Sequence, residues 1–213
     1  MFRFVKYLGI ASAGFIFITA DKGFFTNLFK KFELEDKDLE EFEAFYMNVD
    51  SKIEDQINSY KKWFNDINHC VKDEEKYGHK YLHRFELMYI PNQFDSNKNS
   101  DSDLKEKIGI IFDASGMTPV KHKEFVRRYT SNGYEYRKFP KTKTYYETCS
   151  LLRPEPVSEY IGNKKFANKF TEKIINEIGE RDEGAYPFLE VYFDDRIEYY
   201  APKNNISQFF FKK

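Results

Sequence analysis

The sequence predicts an α+β domain made as a pseudo-twofold duplicate, strand–helix–strand–strand occurring twice, behind a single N-terminal transmembrane helix. Three observations carry this reading. The chain has 213 residues, 41% of them hydrophobic, which suits one core and is too short for two full domains. Helical periodicity and strand-like segments follow one another in the same order in both halves. The long charge-free apolar run lies at the start, over residues 7–20.

The first half opens on a strand-like stretch, Leu39–Asn48, with Phe42, Phe45 and Tyr46. Ser51 with Glu54 three residues on has the spacing of a capping box. Ile53, Ile57, Tyr60, Phe64 and Ile67 then make one apolar stripe of a helix. Two strands follow, His83–Pro91 and Ile108–Phe112, separated by a polar loop rich in Asn, Ser and Asp.

The second half begins with a helix after Thr118-Pro119, carrying Phe125, Val126 and Tyr129 and stopped by Asn132-Gly133. Tyr134–Phe139 and Thr144–Cys149 read as extended, broken at Pro140. Phe166, Phe170, Ile174 and Ile178 place a second amphipathic helix, and Tyr186–Phe193 and Arg196–Ala201 close the chain as a strand pair. Phe85-Glu86-Leu87-Met88-Tyr89 aligns with Leu189-Glu190-Val191-Tyr192-Phe193, sharing one identity. Two such units predict one antiparallel sheet, helices on one face and a concave groove on the other.

At the N-terminus, Phe4 and Val5 extend the apolar run toward a bilayer's thickness, with Arg3 and Lys6 snorkelling outward. A retained anchor is expected over residues 1–22, a cleaved targeting peptide being the alternative. Gly9, Ala13 and Gly14 are small enough to let a partner helix approach closely in lipid. The aromatic and basic residues 23–38 form a juxtamembrane strap, 39–205 the α+β domain, and 206–213 a short tail. Lysines and arginines flank the run on both sides, so charge leaves its orientation open.

Lys+Arg of 34 against Asp+Glu of 35 argues against a nucleic-acid binder. The balance hides segregation. Residues 33–55 carry ten acids and two lysines, whereas residues 121–143 carry eight basic residues and two acids. That basic strip is Lys121, Lys123, Arg127, Arg128, Arg137, Lys138, Lys141 and Lys143. It either faces the acidic segment or contacts anionic lipid or an acidic partner.

Ala185-Tyr186-Pro187-Phe188-Leu189-Glu190-Val191-Tyr192-Phe193-Asp194-Asp195-Arg196-Ile197 resembles the closing strand pair of GyrI-like (SOUL/effector-binding) domains. It is most similar to the membrane-anchored testis-expressed ER-phagy receptor group, as are Gly133 and Phe139-Pro140 before an aromatic strand. The resemblance implies the two-repeat fold and a ligand groove. It also implies a buried glutamate for cationic small molecules, at the position of Glu190. Strand alternation puts Tyr192 on the face of Glu190, a phenol beside a carboxylate. A structural pairing of Glu190 with Arg196 is the competing reading. The autophagy-motif tail of the receptor group has no counterpart in the dozen residues after the last strand.

Catalytic signatures are lacking. Asp113-Ala114-Ser115-Gly116 lacks the glycine of a nucleophile elbow, and no nucleotide-binding glycine loop occurs. His79 and His83 stand one helical turn apart near Cys70 but lack further ligands, so they are expected as solvated histidines, with no metal and no cofactor. Cys70 and Cys149 are expected as isolated thiols. The sequence therefore points to a non-catalytic, single-pass accessory subunit of a membrane assembly, contacting other membrane-protein subunits and lipid through its anchor. Its AT-rich coding bias and basic, acid-free first twenty residues favour a mitochondrial inner-membrane, respiratory-chain type complex. The alternatives are an adaptor of the endoplasmic reticulum and a small-molecule binder using Glu190 and Tyr192.

Overall fold

The computed structural model describes residues 34–49, 53–91, 106–150, 168–178 and 185–210. The expected anchor with Gly9, Ala13 and Gly14, and most of the strap, lie outside them. Among the described residues no helix is long and apolar enough to cross a membrane.

The strands are β1 (Glu35–Leu39), β2 (Phe42–Asn48), β3 (Lys80–Pro91), β4 (Lys107–Asp113), β5 (Glu135–Phe139), β6 (Thr142–Ser150), β7 (Ala185–Tyr192) and β8 (Arg196–Pro202). The helices are α1 (Ile53–Lys72), α2 (Glu74–Tyr77), α3 (Pro119–Ser131) and α4 (Asn168–Ile178), with a 3-10 turn at Ile206–Phe209. The strands form one antiparallel sheet in the order β1-β6-β8-β7-β3-β4-β2-β5. Exchanging β1 with β5, β2 with β6, β3 with β7 and β4 with β8 reverses this order onto itself. The duplication is therefore real, and its pseudo-twofold axis passes between β3 and β7. The first unit carries one strand more than the sequence suggests, β1, and in each unit the leading strand, β1 or β5, crosses to the edge of the other half.

The expected strand Leu39–Asn48 divides at Glu40-Glu41, and all of β1 but Leu39 lies inside the stretch predicted as strap. Glu40-Glu41 joins β1 to β2, and Pro140-Lys141 joins β5 to β6. Both links connect strands at opposite ends of the sheet order. In a flat sheet β1 and β2 would lie about 29 Å apart, whereas the three chain steps from Leu39 to Phe42 span about 11 Å at most. The sheet must curl until its ends meet. At this seam Lys141 Nζ lies 2.7 Å from Glu40 and 3.5 Å from Asp38, and Lys138 Nζ lies 3.1 Å from Glu41. Farther along, His122 meets Glu43 at 2.8 Å and Arg128 meets Asp73 at 2.9 Å. Three of the eight residues of the basic strip, Arg128, Lys138 and Lys141, thus face acidic side chains, and the solvent exposure of the Lys138 and Lys141 pairs keeps their contribution small.

The concave face holds a single cluster drawn from β2 through β8: Ala44, Phe85, Leu87, Phe139, Leu189 and Val191 are all buried. Phe42 stacks on Phe139 at 4.6 Å between centroids, and Phe209 reaches Phe139 at 5.4 Å. Phe209 is buried, so the tail expected from residue 206 reaches into the core at that residue. The concave side is filled by side chains and is not the open groove predicted for it. The convex face carries the helices in two clusters. Trp63 of α1 and Phe125 and Tyr129 of α3 cover Phe45, Ile108, Ile110 and Phe112. Phe170 and Ile174 of α4 cover Phe188, Tyr192, Ile197 and Tyr199.

Helix α3 begins where predicted, with the Thr118 hydroxyl accepting from Lys121 N at 3.3 Å and Pro119 in the first turn. It ends at Gly133, whose φ of 88° lies in the left-handed region. Helix α1 is rotated from the expected stripe. Tyr60, Trp63, Ile67 and Cys70 face the sheet, while Ile57 and Phe64 remain exposed. Trp63 decides this: its indole N–H donates to Gly109 O at 3.0 Å, a bond that apolar periodicity does not report.

Candidate functional site

β3 and β7 lie at the centre of the sheet, and their register sets Glu86 directly opposite Glu190. Phe85 pairs with Val191 and Leu87 with Leu189, so the pseudo-twofold axis passes through the glutamate pair. Alternation sends Phe85, Leu87, Leu189 and Val191 into the concave core. It sends Glu86, Glu190 and Tyr192 to the convex, helix-bearing side. The candidate site is therefore on the opposite face from the groove that the sequence predicts.

One row of cross-strand partners crosses this site. It runs Glu147, Tyr199, Glu190, Glu86, Ile108, Met47. Side chains directly opposite one another stand about 5 Å apart at Cβ. The row is polar across the second repeat and at Glu86, and apolar beyond it on the first.

Within it, the Tyr192 hydroxyl donates to Glu190 Oε2 at 2.8 Å. Glu190 is 1% exposed, and its Oε1 has no hydrogen-bond partner. The Tyr199 hydroxyl, on the neighbouring strand, is also buried and without a partner. Part of Glu86 reaches solvent. From α1, Tyr60 donates to Glu106 Oε1 at 2.6 Å, adding a third carboxylate near the pair.

Burial pushes the Glu86 carboxyl up to about 8, with further upward pressure from the Glu190 and Glu106 charges. Burial likewise pushes Glu190 up to about 7; the Tyr192 hydrogen bond works against this, and Glu106 adds to it. Tyr192 is held well above the ordinary phenol range by burial and by both glutamates. Two carboxyls at this separation, poised near neutrality, hold negative charge only grudgingly unless a cation arrives.

Glu198 shows how the fold treats a carboxylate it intends to satisfy. Burial pushes its pKa up, but hydrogen bonds from Tyr200, Arg196 and Lys37 outweigh that and hold it below the ordinary value. Arg196 Nε lies 2.7 Å and Lys37 Nζ 3.1 Å from it. Arg196, the competing partner for Glu190 in the sequence reading, is thus committed to Glu198. Arg84 approaches the site over ring faces, its guanidinium carbon 4.9 Å from the Tyr192 centroid and 5.2 Å from that of Phe64.

The other sequence candidates fall elsewhere. His79 is buried, not solvated: it stacks on Phe125 at 4.0 Å, and its Nε2 lies 3.0 Å from Cys70 O. Burial lowers its pKa. His83 packs on Phe193 at 3.9 Å. Cys70 and Cys149 are buried and form no disulfide. Among the described residues no group of three or more His, Cys, Asp or Glu is set to hold a metal. Asp113 caps Ser115 in an exposed turn, its carboxylate accepting from the Ser115 N–H at 2.8 Å and from the Ser115 hydroxyl at 2.9 Å. The sequence reading missed Glu86 and Tyr199. The single identity in the repeat alignment, Glu86 with Glu190, was the available signal for the first.

No protein-family model matches the sequence, and no curated protein sequence matches it. Among solved structures, the chain is similar to SAV2435 bound to tetraphenylphosphonium, at 12% identity over 80% of this chain and 93% of that one, with a TM-score of 0.46. It is similar to a hydrolase from Listeria innocua at 12% identity over 83% of this chain and 95% of that one, with a TM-score of 0.44. It is also similar to the EcmrR C-terminal domain at 10% identity over 80% and 96%, with a TM-score of 0.41. At these values the likeness assigns neither a family nor a ligand to this chain.

Proposed function

We propose that this domain is a non-catalytic binding module for a small organic cation, held on the convex face at Glu190 and Tyr192. The observation that carries the reading is Glu190 Oε1, buried and without a partner beside a second carboxylate. A buried charge needs compensation, and a cation that binds there supplies it. The aromatic wall of Tyr192, Tyr199, Phe188 and Phe170 suits an organic ligand better than a hard metal ion, which asks for six or more oxygens. A panel of aromatic and aliphatic organic cations, screened by thermal shift on the full chain, tests this. Stabilisation of the wild type that vanishes in Glu190→Gln is the expected result. The same shift in both proteins, or no shift with any cation, sinks the proposal.

A second reading rests on the apolar run of residues 7–20. It makes the chain a tethered accessory subunit of a membrane assembly, through Gly9, Ala13 and Gly14. Purification in mild detergent tests it: co-purifying subunits lost on Gly9→Ile support it, and a lone monomer counts against it.

A further inference from the structure

The unpaired groups of the site say which kind of cation fits. Glu190 Oε1 can only accept a hydrogen bond when ionised. The Tyr199 hydroxyl, fully buried on the adjacent strand, accepts as readily as it donates, and it has no partner. Glu86, directly across from Glu190 and partly open to solvent, adds further acceptor oxygens. Tyr192 is already committed as a donor to Glu190 Oε2. Three acceptor-bearing residues from adjacent strands thus stand side by side on one row, and two of their oxygens, Glu190 Oε1 and the Tyr199 hydroxyl, are buried without a hydrogen-bond partner. Arg84 lies at ring faces, over Tyr192 and Phe64.

A quaternary ammonium or phosphonium would supply charge but no hydrogen, and would leave these groups buried and unsatisfied. Each unmade bond of that kind costs on the order of a tenfold loss in affinity. A primary ammonium has three N–H donors, matching the three acceptor positions in number.

From this we infer that the site selects a primary ammonium, seated between Glu190, Glu86 and Tyr199, over a quaternary cation of the same shape. The inference rests on the cation-binding reading and deepens it. Selectivity here comes from groups that only a hydrogen-bearing cation satisfies, so a bare positive charge is the poorer ligand.

Calorimetric titration of the full chain with 2-phenylethylammonium and with its N,N,N-trimethyl analogue separates the two ideas. The primary amine is expected to bind at least tenfold more tightly. Tyr199→Phe, which removes only a hydroxyl, should reduce that ratio several-fold while leaving the quaternary compound's affinity unchanged. Equal or tighter binding of the trimethyl analogue, still dependent on Glu190, overturns this inference and leaves the cation site standing. A ratio unmoved by Tyr199→Phe overturns the place given to that hydroxyl. Binding of neither compound removes the cation-site reading and this inference with it. Trp63 fluorescence in thermal unfolding shows that each variant is folded before its affinity is compared.

Discussion

Glu86 and Glu190 face each other across the two central strands, and the pseudo-twofold axis of the duplicated fold runs between them. A duplication places equivalent residues of its two halves side by side at the axis. A single glutamate in the repeated motif therefore yields a carboxylate pair, with no further change in sequence. The repeats then diverge around it. Tyr199 and Tyr192 stand on one side, while their counterparts on the other are Ile108 and Met88. Symmetry supplies the charge of the site, and its loss supplies the polarity.

The first prediction concerns pH. The folded chain holds protons on Glu86 and Glu190 up to about 8 and about 7, whereas an unfolded glutamate releases its proton near 4.3. Between these values the native state binds more protons, so the pair's contribution to stability falls as pH rises. Glu190→Gln removes that slope for its site. Relative to wild type without ligand, the variant should gain stability from about pH 4.5 to about pH 7 and hold that gain of about 1–3 kcal/mol up to pH 8.5. Urea denaturation across that range measures it, and a variant less stable than wild type at pH 8.5 contradicts it.

Glu198 should respond in the opposite sense. Its pKa is held down by Tyr200, Arg196 and Lys37 against the cost of burial, so its contribution is present above the unfolded value and is lost as pH falls through the folded one. Glu198→Gln should cost about 2 kcal/mol at pH 7, the scale of hydrogen bonds to a charged group. The penalty should shrink as pH falls below the ordinary carboxylate range and the wild-type carboxyl takes up its proton. A penalty that does not change with pH would show that the loss is one of packing alone.

The order of elements was legible because apolar periodicity survives in a single sequence, as in Tyr186–Phe193 and the capped helix at Thr118-Pro119. Alternation also placed Glu190 and Tyr192 together on one face. Which face carried the helices was not legible, because inward and outward residues of β7 are equally apolar: Phe188 and Tyr192 line one side, Leu189 and Val191 the other. The curl was hidden for a related reason. It is imposed by two short links joining distant strands, and pairing partners are not written in local pattern. His79 reads as a polar residue in a charged stretch, yet it is buried through a ring stack on Phe125 that lies 46 residues away in sequence.

Gly109 illustrates a constraint of close approach. It sits in β4 between β2 and β3, and a Cβ there would lie 2.4 Å from Phe45 O and 2.4 Å from the Phe85 ring. The carbonyl belongs to a paired strand and cannot withdraw cheaply. Gly109→Ala should destabilise the fold by about 3 kcal/mol. The same residue accepts the Trp63 indole hydrogen bond, so emission from the sole tryptophan should shift to the red in the native variant. An alanine variant with wild-type stability and emission would mean that β4 is not held this tightly between its neighbours.

Phe209 tests whether the last described turn belongs to the core. It is 1% exposed, packs on Phe139, and its carbonyl accepts from the Tyr89 hydroxyl at 2.9 Å. Phe139 lies at the end of β5 and Tyr89 lies on β3, so the turn braces one edge of the curl against its centre. Phe209→Ala removes the ring from a concave core already filled by Phe42, Phe85 and Phe139, which leaves a cavity that the curled sheet has little freedom to collapse. The expected cost is about 3–5 kcal/mol in chemical denaturation. Phe209→Leu, which keeps most of the volume, should recover more than half of it. If both variants lose less than about 1 kcal/mol, the turn is an appendage, and the curl is held by the strand links alone.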